Sequence, residues 1–185
     1  MGMPDTARRY TVDDVLAFPE DGNRYELVDG ELLVTPAPAP RHQDVVGRLY
    51  TRLDRYLQEH QGVARAFFAP ADITWSRERL VQPDLFVVPR TEVSGRWDTF
   101  KTLLLAVEIV SPSSARGDRL VKRRLYQRQR VATYWVVDPD AQLVEVWHPG
   151  DDRPEIVTDT LRWHVTPDSR ELTIEVQELF RNLPC

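Results

Sequence analysis

Two acids stand inside apolar runs. Asp84 follows Pro83 and opens Leu-Phe-Val-Val, and Glu108 interrupts the run LLLAVEIV, residues 103–110. A carboxylate in a buried strand is costly unless something pairs or binds it. If the two strands are neighbours, both acids face one cavity, where they repel each other and are poorly solvated. A divalent cation relieves both difficulties. Mg²⁺ or Mn²⁺ suits a few carboxylate and carbonyl oxygens plus water, and the Ile109 carbonyl is a further candidate ligand. Such an ion polarises a phosphodiester and acidifies an attacking water.

The same chemistry calls for a cation. Side chains on a strand alternate, so Val110 shares the face of Glu108, and a valine cannot serve. Lys122 is the next choice. From Glu108 to Ser111 the strand advances roughly 10 Å, at about 3.3 Å per residue. From Ala115 to Lys122 a helix advances roughly 10 Å, at about 1.5 Å per residue. A helix folding back along the strand therefore brings Lys122 level with Glu108. Asp118, Lys122 and Tyr126 share one stripe of that helix. Lys122 is then placed to position water or to stabilise charge developing on phosphorus. The plainer readings are an exposed lysine and a Glu108 paired with an arginine. For Asp118 the plainer reading, a surface ion pair with Lys122 worth little, is preferred.

At 185 residues, with 42% hydrophobic residues and five Trp, the chain suits one domain with a real core. No apolar run is long enough to span a membrane, and MGMPDTARRY lacks the apolar region of a secretory signal. The one cysteine, Cys185, permits no internal disulfide and fits a reducing cytoplasm. A net charge of −5 disfavours non-specific binding of nucleic acid by the whole surface. The segment from Arg116 to Arg130 is nonetheless strongly basic. Arg116, Arg119, Arg123 and Arg124 are the expected phosphate contacts, so binding to DNA should fall with salt.

Thr11 is expected to cap a short helix through Phe18. Arg24–Asp29 and Glu31–Thr35 read as a hairpin around Asp29-Gly30, and Pro36–Pro40 as a stiff connector. Val45, Val46, Leu49, Leu53, Tyr56 and Leu57 fall at helical spacing within Arg41–Gln61, with Gly62 as the stop. Strands are predicted from Val63, from Ala71, over Gln82–Pro89 and over Leu103–Ser111, with a loop at Arg90–Lys101. A helix capped by Ser113 or Ser114 should run to about Gln129. A strand at Thr133–Asp138 should turn into Leu143–Trp147. A weaker pair follows near Glu155–Thr160 and Leu172–Val176, and then a helical turn at VQELF. This order predicts an α/β (α+β) fold, a mixed central sheet flanked by helices with added hairpins. Residues 1–36 would form an N-terminal helix and hairpin, 37–138 the core, and 139–185 a C-terminal hairpin extension of a single domain.

YELVDGEL (Tyr25–Leu32), PAPRHQ (Pro38–Gln43), QPDLFVV (Gln82–Val88), VEIVSPSSARGDRLVKRRLY (Val107–Tyr126) and YWVVDP (Tyr134–Pro139) carry a resemblance. The chain resembles the PD-(D/E)XK nuclease superfamily. More closely, it is similar to the Uma-type (Uma-two) family of bacterial restriction-endonuclease-like proteins. The resemblance implies a restriction-endonuclease-like fold with Asp84 and Glu108 as metal ligands. It also implies that Lys122 is the superfamily lysine, moved onto the following helix. Glu26 matches an acid in the family's first hairpin, an additional active-site carboxylate or a solvent-face acid. His42 matches a family histidine at the start of the long helix, functional or a helix cap. Arg130 and Ala132-Thr133 stand where the family usually has Gly and Pro-Glu. The expected function is a metal-dependent DNA endonuclease or related phosphodiesterase. One rival is a weakly catalytic or non-catalytic module on the same fold that binds nucleic acid or protein. Another is a structural protein whose C-terminal hairpin pairs across a homodimer.

Overall fold

The computed structural model describes residues 8–60 and 62–184. Residues 1–7, Gln61 and Cys185 lie outside the described residues, and with them the N-terminal stretch, the last residue of the expected long helix and the lone cysteine. Helix α1 (Val12–Leu16) begins at Thr11, whose side chain and that of Asp14 form a reciprocal cap. Strands β1 (Arg24–Val28) and β2 (Glu31–Thr35) pair around a turn in which Asp29 and Gly30 have φ of 50° and 83°. Positive φ at both central residues is what a tight hairpin turn demands. Helix α2 (Pro40–Glu59) follows, and the six apolar residues expected to line it are all buried.

Next come β3 (Ala64–Phe68), β4 (Ile73–Ser76), β5 (Arg79–Val81), β6 (Leu85–Pro89) and β7 (Leu105–Ile109). The last part of the chain supplies α3 (Arg123–Arg128), β8 (Tyr134–Asp138), β9 (Leu143–Trp147), β10 (Glu155–Val157), β11 (Thr160–Trp163), β12 (Leu172–Glu175) and α4 (Val176–Phe180). The central sheet has six strands in the order β10-β9-β8-β7-β6-β3, and only β7 and β8 run parallel. A smaller sheet, β2-β1-β5-β4, carries the first hairpin, and β11-β12 form a pair. The architecture is thus the mixed α+β one expected, with a mixed central sheet.

Two features of this topology set up the site. In the antiparallel pair β6/β7, Leu85 faces Val107, so the register carried on by one residue sets Asp84 opposite Glu108. Parallel β7 and β8 need a crossover, and that crossover carries Lys122. Alternation along β7 sends Leu105, Val107 and Ile109 into the core beneath α2. Ala106 and Val110 join the opposite core with Phe86, Leu125 and Tyr126. Glu108 shares that second face and is the acid within it.

The structure departs from the sequence expectation in three places. Arg79–Val81 forms a strand where none was expected; three residues are too few to show a period. Glu155–Val157 pairs with β9, and Leu172–Glu175 pairs instead with Thr160–Trp163. This sets Leu161 against Ile174 and Trp163 against Leu172, all buried. The basic helix, finally, is not uniformly α: Gly117–Lys122 is a π-helical turn ahead of α3. The Asp118 carbonyl accepts from Arg123 N–H and, at 3.1 Å, from the Tyr134 hydroxyl. After α3, Arg130 has φ of 55°, a left-handed position where the resembled family usually has Gly.

Candidate active site

Asp84, Glu108 and Lys122 meet, and with them Glu26, Asp118, Arg24, His42 and Tyr126. The Lys122 ammonium is 2% exposed and donates to Glu108 Oε1 at 3.0 Å. It lies 2.7 Å from Glu26 Oε2 and 3.0 Å from Asp118 Oδ1 as ion pairs without hydrogen-bond geometry. Tyr126, one helical turn beyond Lys122, donates to the same Glu108 Oε1 at 2.8 Å. Glu26 is steadied by the Gln82 N–H, 2.8 Å from its Oε1. The hairpin that brings Glu26 in is pinned at its turn, where Asp29 pairs with Arg79 and Arg128.

Asp84 sits one step outward and every contact holds it ionised. Arg24 Nη1 meets its Oδ1 at 2.7 Å. Its Oδ2 accepts from Ile109 N–H at 2.8 Å and lies 3.0 Å from His42 Nε2. His42 occupies the first turn of α2, so the long helix aims it at Asp84. Burial alone would raise the Asp84 pKa, but the His42 hydrogen bond and the Arg24 charge outweigh it and hold it well below the carboxylate range. Glu108 goes the other way. Burial, with Asp118, Asp84 and Glu26 nearby, pushes it well above its ordinary value despite Lys122. Asp118 is raised too, chiefly by burial. Burial would lower Lys122, yet Asp118, Glu108 and Glu26 raise it, so it stays an ammonium.

The expectation for Asp118 is corrected here. It is not a surface partner but a buried member of the cluster. Arg24, Tyr126 and Asp118 are the site residues that sequence reasoning did not select. Only the stripe of Asp118, Lys122 and Tyr126 hinted at two of them.

The four arginines expected at phosphates divide into two pairs. Arg119 is committed within the chain, 2.6 Å from Asp138 and 2.6 Å from Glu145. Arg123 stacks over Trp147 at 4.6 Å and hydrogen-bonds Gln127. Arg116 and Arg124 are exposed.

The donor set can be tested against a divalent cation. Among the described residues, no three His, Cys, Asp or Glu side chains form a ready metal-ligating group. Mg²⁺ and Mn²⁺ do not need one, since they keep several waters and take one or two carboxylates. Glu108 Oε2 is buried without a hydrogen-bond partner, an acceptor awaiting one. Charge agrees. Glu26, Asp84, Glu108 and Asp118 face Lys122 and Arg24, so with all four acids ionised and His42 neutral the buried cluster would carry two negative charges in excess. The carboxylates of Asp84 and Glu108 are oxygen donors of the kind such an ion takes.

A cleft of about 710 Å³ opens onto this cluster. Val15 and Phe18 from the N-terminal segment, the Pro36–Ala39 connector and Ser111, Ser113 and Ser114 line it together with Arg24, His42, Asp84 and Ile109. No helix among the described residues is long and apolar enough to cross a membrane.

Comparison with known proteins agrees with this fold. The family described as "Putative restriction endonuclease" matches residues 12–178. A crystal structure of "a putative nuclease belonging to DUF820 from Anabaena variabilis" is 21% identical, with a TM-score of 0.77 over 92% of this chain and 97% of that one. At that identity the likeness shows a shared fold. No curated protein matches the chain. The family match runs from the first helix to the last, and the chain therefore belongs to the Uma2 family of putative restriction endonucleases.

Proposed function

We propose that the protein is a divalent-metal-dependent nuclease that hydrolyses DNA phosphodiesters, using Mg²⁺ or Mn²⁺ held by Asp84, Glu108 and the Ile109 carbonyl. The observation that carries this reading is Glu108 Oε2, a buried carboxylate oxygen with no hydrogen-bond partner among the described residues, in a cluster with the further buried acids Glu26, Asp84 and Asp118. The cation would supply Lewis acidity for a phosphoryl oxygen and a more acidic water. The side chains do the rest. Lys122 and Tyr126 both hold Glu108 Oε1, which fixes the carboxylate and leaves Oε2 free to ligate. His42 and Ile109 N–H hold Asp84 Oδ2 in the same way. Lys122 lies behind Glu108, outside the cleft lining, so its fixed positive charge would act on the site through that carboxylate. Glu26 and Asp118 keep that lysine charged and aimed.

The test is nicking of supercoiled DNA with Mn²⁺ and after chelation, run on wild type and Asp84→Ala, together with Mn²⁺ titration of both. Wild type is expected to nick only with the metal, and Asp84→Ala to lose both nicking and high-affinity Mn²⁺ binding. Equal Mn²⁺ affinity in the two proteins would overturn the metal assignment. Mn²⁺ binding that depends on Asp84, with no cleavage of any DNA, would favour a binding module on the same fold.

The division among the arginines gives a second expectation. Arg116→Ala and Arg124→Ala should each reduce the slope of log affinity for DNA against log salt by about 1. Arg119→Ala should leave the slope unchanged and lower stability, because it strips two half-buried carboxylates of their partner. A lower slope for Arg119→Ala, at unchanged stability, would reverse the assignment.

A further inference from the structure

We propose that Arg24 is an exchangeable counter-ion: in the metal-free protein it holds the Asp84 oxygen that a divalent cation needs, and a phosphate entering the cleft draws it off, so that anion and metal bind cooperatively. The inference rests on the metal-dependent reading of the site.

Geometry carries it. The two oxygens of Asp84 are not equivalent. Oδ2 is held from both sides by Ile109 N–H and His42, whereas among the described residues Oδ1 meets only the Arg24 guanidinium, at 2.7 Å. A cation that ligates Asp84 without breaking its anchoring must take Oδ1. Arg24 Nε also lies 3.6 Å from Glu26 Oε2, and Nη1 donates to the Gln82 carbonyl at 3.1 Å. The guanidinium thus bridges the outer acid and the inner cluster.

It also stands between that cluster and the cleft. Arg24, Asp84, His42 and Ile109 line the cleft, while Glu26, Glu108 and Lys122 do not. The Arg24 side chain is 17% exposed, against 0% for Glu26 and Glu108. A dication taken up by Asp84 and Glu108 would adjoin the guanidinium at low dielectric, where like charges repel strongly. Metal and Arg24 therefore compete for one oxygen. Arg24 cannot yield by losing its proton. It yields by finding another anion, and a phosphodiester in the cleft offers the two oxygens that a guanidinium fork prefers. Phosphate binding then frees Asp84 for the metal. By linkage each partner tightens the other by the same factor.

The experiment is Mn²⁺ titration by electron paramagnetic resonance, with and without a short phosphorothioate oligothymidylate that resists hydrolysis. The proteins are wild type, Arg24→Met and Arg24→Lys, and an Asp84→Ala, Glu108→Ala double variant corrects for Mn²⁺ on the oligonucleotide. Wild type is expected to bind Mn²⁺ at least tenfold more tightly with the oligonucleotide. Arg24→Met should bind Mn²⁺ alone at least fivefold more tightly than wild type and gain less than twofold from the oligonucleotide. Arg24→Lys, which keeps a charge beside Asp84 and guards against a misfolded Met variant, should fall between the two. Arg24→Met and Arg24→Lys both binding Mn²⁺ no better than wild type would overturn the proposal. If wild type itself binds Mn²⁺ no better than the double variant, the metal reading fails, and that is a separate result.

Discussion

Lys122→Met will lower the melting temperature of the metal-free protein at pH 8 by roughly 6–20 °C. The figure follows from about 3–5 kcal/mol for removing one partner of a buried ion pair, at about 2–4 °C per kcal/mol in a chain of this length. The lysine is the ammonium shared by Glu26, Glu108 and Asp118, all buried. Without it, three carboxylates are left with Arg24 at 3.6 Å from one of them as the nearest compensation. The loss should depend on pH in a defined direction. Glu108 and Asp118 already sit above their ordinary values of 4.5 and 3.8, so the folded state binds their protons more tightly than the unfolded chain does. Their contribution is fully present at low pH and is lost as pH rises above those values. Removing the ammonium raises both further, so the variant should recover much of its deficit at pH 5. Thermal melts at pH 5 and pH 8 check this. A variant that melts within 2 °C of wild type at pH 8 would show that the cluster does not depend on Lys122.

Glu108→Gln should act in opposite directions on stability and activity. It mimics the protonated acid that burial favours. Its side-chain carbonyl can still accept from Lys122 and Tyr126, as Oε1 does now. The metal-free variant should therefore melt a few degrees above wild type at pH 8, at about 2–4 °C per kcal/mol. Mn²⁺ should raise the melting temperature of wild type and not that of the variant, because the oxygen lost is the unpartnered Oε2. Cleavage should fall by at least about 10²-fold. Melts with and without Mn²⁺, beside a nicking assay, measure all three. A destabilised variant that still responds to Mn²⁺ like wild type would sink the idea that Glu108 is held ready for metal.

These residues differ in how plainly the sequence announces them. Asp84 and Glu108 are legible because an acid breaks an otherwise apolar strand, and short strands are easily set side by side. Lys122 is legible only through lengths, the rise of a strand set against the rise of a helix. Asp118 is misread because an i, i+4 acid and lysine look the same in sequence whether exposed or buried. The arginines around it make the whole helix look solvated. Arg24 is not legible at all. It opens a hairpin strand, where arginine is ordinary, and its partner Asp84 lies sixty positions on. Only the fold, through β5 set against β1, brings the first hairpin to the Gln82–Asp84 segment. The parallel crossover and its approximate helix were foreseeable from order and length. The π turn was not, since nothing in the local sequence marks the carbonyl of Asp118 as the one that Arg123 N–H and, from β8, the Tyr134 hydroxyl both reach.

That turn has a consequence for how the chain can vary. A π turn is an α-helix carrying one surplus residue, and Gly117–Lys122 is where this surplus sits. Remove a single residue there, restore a regular helix, and everything before the join turns by about 100° against everything after it. Asp118 and Lys122 lie on the two sides of that join. The site is therefore indexed by segment length as well as by residue type. A relative or a redesigned variant could keep every acid and the lysine, lose one residue from this turn, and turn the ammonium away from Glu108.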